Sequence, residues 1–493
     1  MPDRLFAALQ ALPANQVILS GTGKTRTVAA LRLDIEQLAL RLRQLGCKVL
    51  ALLADNSATW VTADLAALKT GVVQLPLPGF FSDAQICHAL QSTAADVMLT
   101  DQAERISGLA LGFHEIGQWD GLTLLGRDIA AVELPAGTAK ISFTSGSTGH
   151  PKGVCLSAEG LLDTAQAVCV ALEGLPINWH LSVLPLALLL ENVAGVYAPL
   201  LRGAEIVLLR LAELGWRGIS GFDPLQLLRQ VEAVQPDSLI LVPELLKAWT
   251  QALQACSQRA PSSLQFVAVG GARCDPGLIS SARAAGLPVY EGYGLTECGS
   301  VVSLNRPGED WPGSVGHPLR HVRIRVDDEA EIHIESRAFL GYLAGEAASR
   351  EFSTGDLGHR DANGYLHLSG RRGNLIITAY GRNIAPEWVE AALLAQPEIA
   401  QAVVFGEARS GLTAILVASH GAVSSKLANA VVRANATLPD YAKVGVWLPS
   451  ASFTPTNGLA TGNGRPIRAA ILQRHAEALE FLQSGQEPIH AVL

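Results

Sequence analysis

Apolar and polar positions alternate along the chain in blocks rather than singly. "LRLDIEQLALRLRQLG" puts apolar side chains at 35, 38, 42 and 45, the spacing of one helix face, and Gly46 follows as a C-cap. "KVLALLAD" is then a continuous apolar run of strand length, "TADLAALKTG" a helix and "VVQLPL" another strand. The alternation continues through "ADVMLTD", "HLSVLPL", "AEIVLL", "DSLILVP", "FVAVGG" and "PVYEGYG". Short apolar runs between helical stretches predict an α/β architecture with largely parallel sheets. After Asn305 the texture changes. "HVRIRVDDEAEIHIES" alternates with a period of two around Asp327 and Asp328, and "HRDANGYLHLSG" does so around Asn363 and Gly364, so each reads as an antiparallel hairpin. "RRGNLIITAYGRNIAPEWVEAALLAQPEIAQAVVFGE" comes next as strand, turn, helix and strand.

The glycine beside paired arginines at Gly370–Gly373 marks a domain boundary. It divides the chain into an N-terminal domain of residues 1–370 and a small α+β domain of residues 371–493, the latter within the usual range of domain size. A hydrophobic fraction of 49% against 17% charged residues supports large buried cores and argues against disorder. A net charge of −8 with no basic stripe argues against a nucleic-acid partner. The seven cysteines are odd in number and form no Cys-x-x-Cys pair, which argues against a disulfide framework or structural zinc site and fits a reducing compartment. The N-terminus has no signal-peptide plan, so the cytoplasm is the expected location. "SVLPLALLLENVAGVYAPLL" is broken by Pro185, Glu191, Asn192 and Pro199, and is expected to be buried core rather than a transmembrane segment.

"SGTGKT", Ser20–Thr25, ends like a nucleotide-binding P-loop. Ile18 stands where the full pattern needs glycine, and the stretch after it alternates instead of opening a helix, so a hairpin turn is expected. "ISFTSGSTGHPKGVCLS" is a different matter. Thr144, Ser145, Ser147 and Thr148 supply hydroxyls, Gly146, Gly149 and Gly153 allow close backbone approach, and Lys152 supplies a cation. A loop of this kind, between two apolar runs, can cradle a polyphosphate.

That stretch resembles the phosphate loop of the adenylate-forming superfamily, which contains acyl- and aryl-CoA synthetases, luciferases and peptide-synthetase adenylation domains. Further segments resemble the family's in the same order: "YEGYGLTECGS" its adenine and magnesium segment, "STGDLG" its ribose segment, "GYLHLSGRRGNLIITAYGRNIAPEWVE" its hinge, and "NSATWVTADLAALKTGVVQLPL" its N-terminal subdomain. The resemblance implies an α/β fold with a large N-terminal domain of layered mixed β-sheets with helices, plus a small mobile α+β C-terminal lid domain.

It also implies roles for particular residues. ATP would lie on Thr144, Ser145, Gly146, Ser147, Thr148, Gly149 and Lys152, with Tyr293 and Gly294 at adenine and Gly270, Gly271 and Ala272 as the backbone strip beside adenine and the acyl group. Thr296 would reach the α-phosphate, Asp356 and Arg371 the ribose, and Glu297 would offer a hard oxygen to Mg²⁺. Thr144, Lys152 and Glu297 would act in catalysis. The hinge falls at Gly373, where relatives carry Asp or Lys. In the C-terminal loop "NGLATGNGRPIRAA", relatives place a lysine that bridges the acyl carboxylate and the α-phosphate. Arg465 stands at that position and Arg468 at the arginine that trails it, so Arg465 is expected to replace the lysine.

On the acyl side, "LPLALLLENVAG" matches the segment near the acyl pocket, with Leu188 where many relatives have His. No aspartate is present to pair with an α-amino group, although Glu191 is near, so an uncharged acyl group is favoured. Leu188, Leu189 and Leu190 suit either an apolar pocket or the core. The expected substrate is a small-molecule carboxylic acid, fatty or otherwise apolar. The acceptor is CoA or the phosphopantetheine thiol of an acyl carrier protein; β-lactone closure and a non-catalytic nucleotide- or acyl-binding protein are the other readings.

Overall fold

The buried apolar runs become the central strands of two large sheets. The computed structural model describes residues 3–144, 152–218, 221–345, 347–379, 382–407, 411–419, 424–461 and 464–481. Val49–Leu53 is buried at every position, as a strand covered on both faces must be. It lies parallel to Val73–Pro76 on one side and Val97–Thr100 on the other. This sheet of eight described strands ends with Thr138–Thr144, Lys152–Ser157 and Phe339–Tyr342, paired antiparallel in that order. The second sheet has nine described strands. It runs parallel from Val17–Gly21 through Glu205–Leu208, Trp179–Ser182, Ser238–Leu241 and Phe266–Val269 to Val289–Leu295, then turns antiparallel into Ser300–Leu304. Both alternating segments after Asn305 form antiparallel hairpins of one four-stranded sheet, Arg323–Val326 with Glu331–Glu335 and Glu351–Arg360 with Leu366–Arg371.

The "SGTGKT" stretch is a hairpin turn between Val17–Gly21 and Arg26–Thr27. Beyond the two-residue strand Arg26–Thr27 the expected alternation does not continue. The helix Val28–Gln44 begins at once, its first turn capped by Thr27, whose hydroxyl accepts from the Ala30 N–H. The run from Leu31 is helical as its spacing predicts: Leu31 and Ile35 are buried with Val28 on one face, while Leu33 is 57% exposed.

The greasy segment is core. Glu191–Tyr197 forms a π-helical turn that continues into the helix Ala198–Arg202. No helix among the described residues is long and apolar enough to cross a membrane. Asn192 and Tyr197 of this turn meet a buried ion pair. Lys140 Nζ lies 2.8 Å from Asp64 Oδ1 and 3.1 Å from Tyr197 Oη, and also donates to Asn192 Oδ1, whose Nδ2 donates to Asp64 Oδ2 at 2.9 Å. The Lys140 and Asp64 side chains are 2% and 1% exposed.

The C-terminal unit is a three-stranded sheet, Ile399–Phe405, Leu412–Ala418 and Val444–Ser450, with helices Pro386–Leu394 and Ser424–Asn435 closing its own core around Val389, Leu393, Leu416, Val431 and Trp447. The N-terminal unit reaches it through Lys247, whose ammonium donates to the carbonyls of Gln396 and Ile399 at 2.6 and 2.7 Å. Burial lowers the Lys247 pKa to about 8.

Removing one partner of a buried pair strands the other charge. Lys140→Ala is therefore expected to cost about 3–5 kcal/mol in chemical denaturation, whereas replacing Lys140 and Asp64 together by Met and Leu costs less. Equal losses for the single and double variants would show that the pairing is unimportant.

Candidate active site

Strand pairing sets the first constellation. In the hairpin Glu351–Arg360 with Leu366–Arg371, Asp356 stands directly opposite Arg371. Arg371 Nε donates to Asp356 Oδ1 at 2.7 Å, and Tyr293, arriving from Val289–Leu295, donates its phenol to Oδ2 at 2.6 Å. The Asp356 N–H is taken by Thr354 Oγ1 at 3.0 Å. Burial, and then the Asp356 charge, push the Tyr293 phenol well up, so it stays a donor. Burial opposes the Arg371 charge, but Asp356 outweighs it and raises the pKa.

Thr144 and Lys152 close the mouth of the phosphate-loop segment. They are partners in the antiparallel register of Thr138–Thr144 with Lys152–Ser157, and the Thr144 hydroxyl faces the Lys152 carbonyl at 3.5 Å. Ser145, Gly146, Ser147, Thr148 and Gly149 lie outside the described residues. Lys152 Nζ sits 5.6 Å from the centre of the Tyr342 ring.

Thr296 and Glu297 form a short 3-10 turn directly after Val289–Leu295. Gly294 has to be glycine, because a Cβ there would lie 1.8 Å from the Ser300 carbonyl oxygen. Glu297 Oε1 accepts from the Tyr342 phenol at 2.9 Å. Gly270, Gly271 and Ala272 come directly after the strand Phe266–Val269. The far end of that strip is tied down by Glu291, whose Oε1 accepts the Cys274 N–H at 3.1 Å. Burial pushes the Glu291 carboxyl up to about 7, against the Cys274 hydrogen bond and the Arg273 charge.

Arg465 comes to this strip from the C-terminal unit. Its loop closes on itself, with the Thr461 N–H donating to the Arg465 carbonyl at 2.8 Å and the Arg465 N–H to Thr461 Oγ1 at 3.1 Å. Arg465 Nη2 then donates to the Gly271 carbonyl at 2.8 Å. Desolvation where it meets the Gly271 strip, then the charge of Arg371, lower the pKa of this otherwise exposed guanidinium. Arg468 does not join it. Its guanidinium is bound to both Glu390 oxygens, at 2.6 and 2.5 Å, and to the Val404 carbonyl at 3.1 Å, inside the C-terminal unit.

The sequence matches the AMP-binding enzyme family over residues 5–337 and the AMP-binding enzyme C-terminal domain over residues 373–487. The chain belongs to the AMP-binding enzyme family. This is the adenylate-forming group of acyl- and aryl-CoA ligases. The chain is 28% identical to a long-chain-fatty-acid–CoA ligase, FadD15, of Mycobacterium bovis, over 86% of this chain and 83% of that protein. It is 27% identical to a 2-succinylbenzoate–CoA ligase of Bacillus licheniformis, over 82% of this chain and 86% of that protein. Its fold is similar to that of the anthranilate CoA ligase AuaEII solved with anthranoyl-AMP (TM-score 0.81, 20% identity, 97% of this chain and 98% of that one). It is also similar to the o-succinylbenzoate CoA synthetase of Bacillus subtilis solved with ATP and magnesium (TM-score 0.75, 22% identity, 94% and 98%).

Within this family frame, Gly373 lies in a 3-10 turn, Arg372–Asn374, with open space where a Cβ would go. Gly370 is the constrained glycine: its φ is +150° and a Cβ would lie 2.3 Å from Ala385 Cβ. Glu191 is used up in the fold, its carboxylate meeting His180 Nε2 at 3.2 Å and the Leu184 N–H at 3.4 Å with no solvent exposure. Leu189 is buried, and Leu188 and Leu190 pack half-buried against the apolar cores. Sequence reasoning passed over Tyr342. Its only signal was an aromatic residue after glycine in "FLGYLAG", upstream of the ribose segment.

A carboxyl whose folded pKa is raised stabilises the fold fully below its unfolded pKa and loses that contribution as pH rises through the folded one. For Glu291 the window runs from 4.5 to about 7. Glu291→Gln keeps the acceptor without the charge. Its stability relative to the parent protein is expected to rise by on the order of 3 kcal/mol between pH 4.5 and pH 8 in urea titrations. A pH-independent difference would contradict this assignment.

Proposed function

We propose that the chain is an ATP-dependent carboxylate-activating ligase that converts a fatty or other apolar acid to its acyl-adenylate and then to a thioester with CoA. The observation that carries this reading is Arg465. The C-terminal unit delivers a cation to the Gly270–Ala272 strip, which the resemblance puts beside adenine and the acyl group. On this reading residues 371–493 are the lid, seen in the orientation suited to the first half-reaction.

In that half-reaction a carboxylate oxygen attacks the α-phosphorus, the bond to pyrophosphate breaks, and both reactants are anions. Bringing them together needs fixed positive charge and donors aimed at the α-phosphate. Arg465 has five N–H donors, so spending one on Gly271 leaves others for the two anions. Lys152 faces the phosphates from the loop mouth, Thr296 offers a hydroxyl, and Asp356 keeps lone pairs for the ribose hydroxyls beyond those occupied by Tyr293 and Arg371. Glu297 presents a second carboxylate oxygen with no partner among the described residues, which suits a hard divalent cation, and magnesium, when bound, supplies charge neutralisation for the phosphates. In the second half-reaction a thiol sulfur attacks the acyl carbonyl and AMP leaves. The pairing of Glu191 with His180 leaves no free acid for an α-amino group in the acyl segment, which favours an uncharged acyl tail.

Pyrophosphate release measured across a panel of acids, with and without CoA, is expected to be acid-dependent and to be accompanied by CoA consumption with apolar acids. Pyrophosphate without CoA consumption would point to another acceptor, and no pyrophosphate with any acid would refute the ligase reading. With the preferred acid, Arg465→Ala is expected to slow pyrophosphate release by roughly 100-fold or more, the usual size for loss of one preorganised donor, while Arg465→Lys retains most of the rate. An unchanged Ala variant would remove Arg465 from the chemistry.

A further inference from the structure

Tyr342 stands between the two charges that the ligase reading needs most. It ends the edge strand Phe339–Tyr342, which pairs antiparallel with Lys152–Ser157, Tyr342 opposite Val154. The next residue continues the lock, the Leu343 N–H donating to the Gly153 carbonyl at 2.8 Å. This pairing places the Tyr342 ring under Lys152, 5.6 Å from Nζ, within the range of a cation–π contact. The phenol at the other end of the ring reaches Glu297 Oε1 at 2.9 Å. Phe339 packs edge-on against the ring at 5.0 Å and in turn meets Phe352 at 5.2 Å, so the ring is held from behind.

The ring acts differently on its two neighbours. Lys152 Nζ has no carboxylate partner among the described residues, although Glu297 touches the same side chain. An aromatic ring attracts the ammonium without neutralising it, and its width keeps ammonium and carboxylate from collapsing into an ion pair. On Glu297, a hydrogen bond to one oxygen fixes the carboxylate plane and leaves the other oxygen and the full negative charge for a cation, as outer-sphere donors do for metal-binding carboxylates.

We propose that Tyr342 is a positioning residue that orients Glu297 for a divalent cation and holds Lys152 apart from it for the phosphates. The inference rests on the ATP-dependent reading above and adds a residue to it. Because Tyr342 acts through its neighbours, binding rather than turnover is the primary test.

ATP is titrated calorimetrically into the full chain in MgCl₂ and, separately, in EDTA, for the parent protein, Tyr342→Phe and Tyr342→Ala, with melting temperatures recorded. Tyr342→Phe keeps the ring and loses the hydroxyl. It is expected to weaken magnesium-dependent ATP binding roughly tenfold, the usual cost of losing a partner behind a metal-binding carboxylate, while binding in EDTA and the melting temperature stay unchanged. Tyr342→Ala, which also loses the spacer, is expected to weaken binding in EDTA too. If Tyr342→Phe binds ATP in MgCl₂ as the parent does, the proposal is overturned, and the same holds if both conditions weaken equally. ATP–pyrophosphate exchange on the same proteins separates the two readings. A parent protein that binds ATP but exchanges with no acid defeats the ligase reading while the calorimetric difference still supports Tyr342. Normal exchange, with the same magnesium dependence in Tyr342→Phe, defeats Tyr342 alone. A parent protein with no ATP binding defeats both.

Discussion

The ion pair between Lys140 and Asp64 lies where the parts of the N-terminal unit meet, and the rest of that unit is arranged around it. Lys140 belongs to the strand that ends at Thr144, Asp64 to the buried helix Ala58–Thr70, and Asn192 and Tyr197 to the π-helical turn after the leucine run. Taking an ammonium and a carboxylate out of water is costly, and it is tolerated only where further hydrogen bonds complete their shells. Here an amide and a phenol complete them. The arrangement works only if strand, helix and turn hold one mutual position, so it fixes the mouth of the phosphate-loop segment against the segment that carries Leu188–Leu190. A π-helical turn at this junction is the sort of local irregularity that often accompanies functional segments.

The same device recurs around the candidate site with phenols in place of ammonium groups. Tyr293 binds Asp356 and Tyr342 binds Glu297. Asp356 is also paired with Arg371, but at Glu297 the phenol alone orients the carboxylate and leaves its charge intact, whereas a lysine would cancel it. Both carboxylates sit on short, strongly constrained backbone: Asp356 within a ladder opposite Arg371, and Glu297 in a turn made possible by Gly294 pressing against Ser300. The cations come from elsewhere. Lys152, Arg371 and Arg465 belong to different elements.

The C-terminal unit shows how the Arg465 loop is aimed. Arg468 locks the helix Arg468–Arg474 to buried Glu390, the Thr461–Arg465 hydrogen bonds shape the loop, and the Arg465 guanidinium reaches the Gly271 carbonyl. Lys247 adds a second tie between the units through two backbone carbonyls.

Local pattern made much of this legible. Continuous apolar runs such as Val49–Leu53 announce buried parallel strands, the Asp327–Asp328 and Asn363–Gly364 turns announce hairpins, and the order of the glycine- and hydroxyl-rich segments points to the AMP-binding enzyme family. It misled just after Ser20–Thr25, where the helix Val28–Gln44 opens instead of an alternating stretch, and it gave Glu191 no partner, because His180 lies on another element. Sequence alone determined which chemical groups are available and the order in which they occur, because those depend on residue identity and short-range periodicity. Only the tertiary structure decided which groups meet: that Tyr342 touches Glu297, that Arg465 reaches Gly271 while Arg468 turns inward, and that Gly370 rather than Gly373 is the glycine under constraint. Such pairings depend on strand register and on packing between distant segments, and no local pattern encodes either.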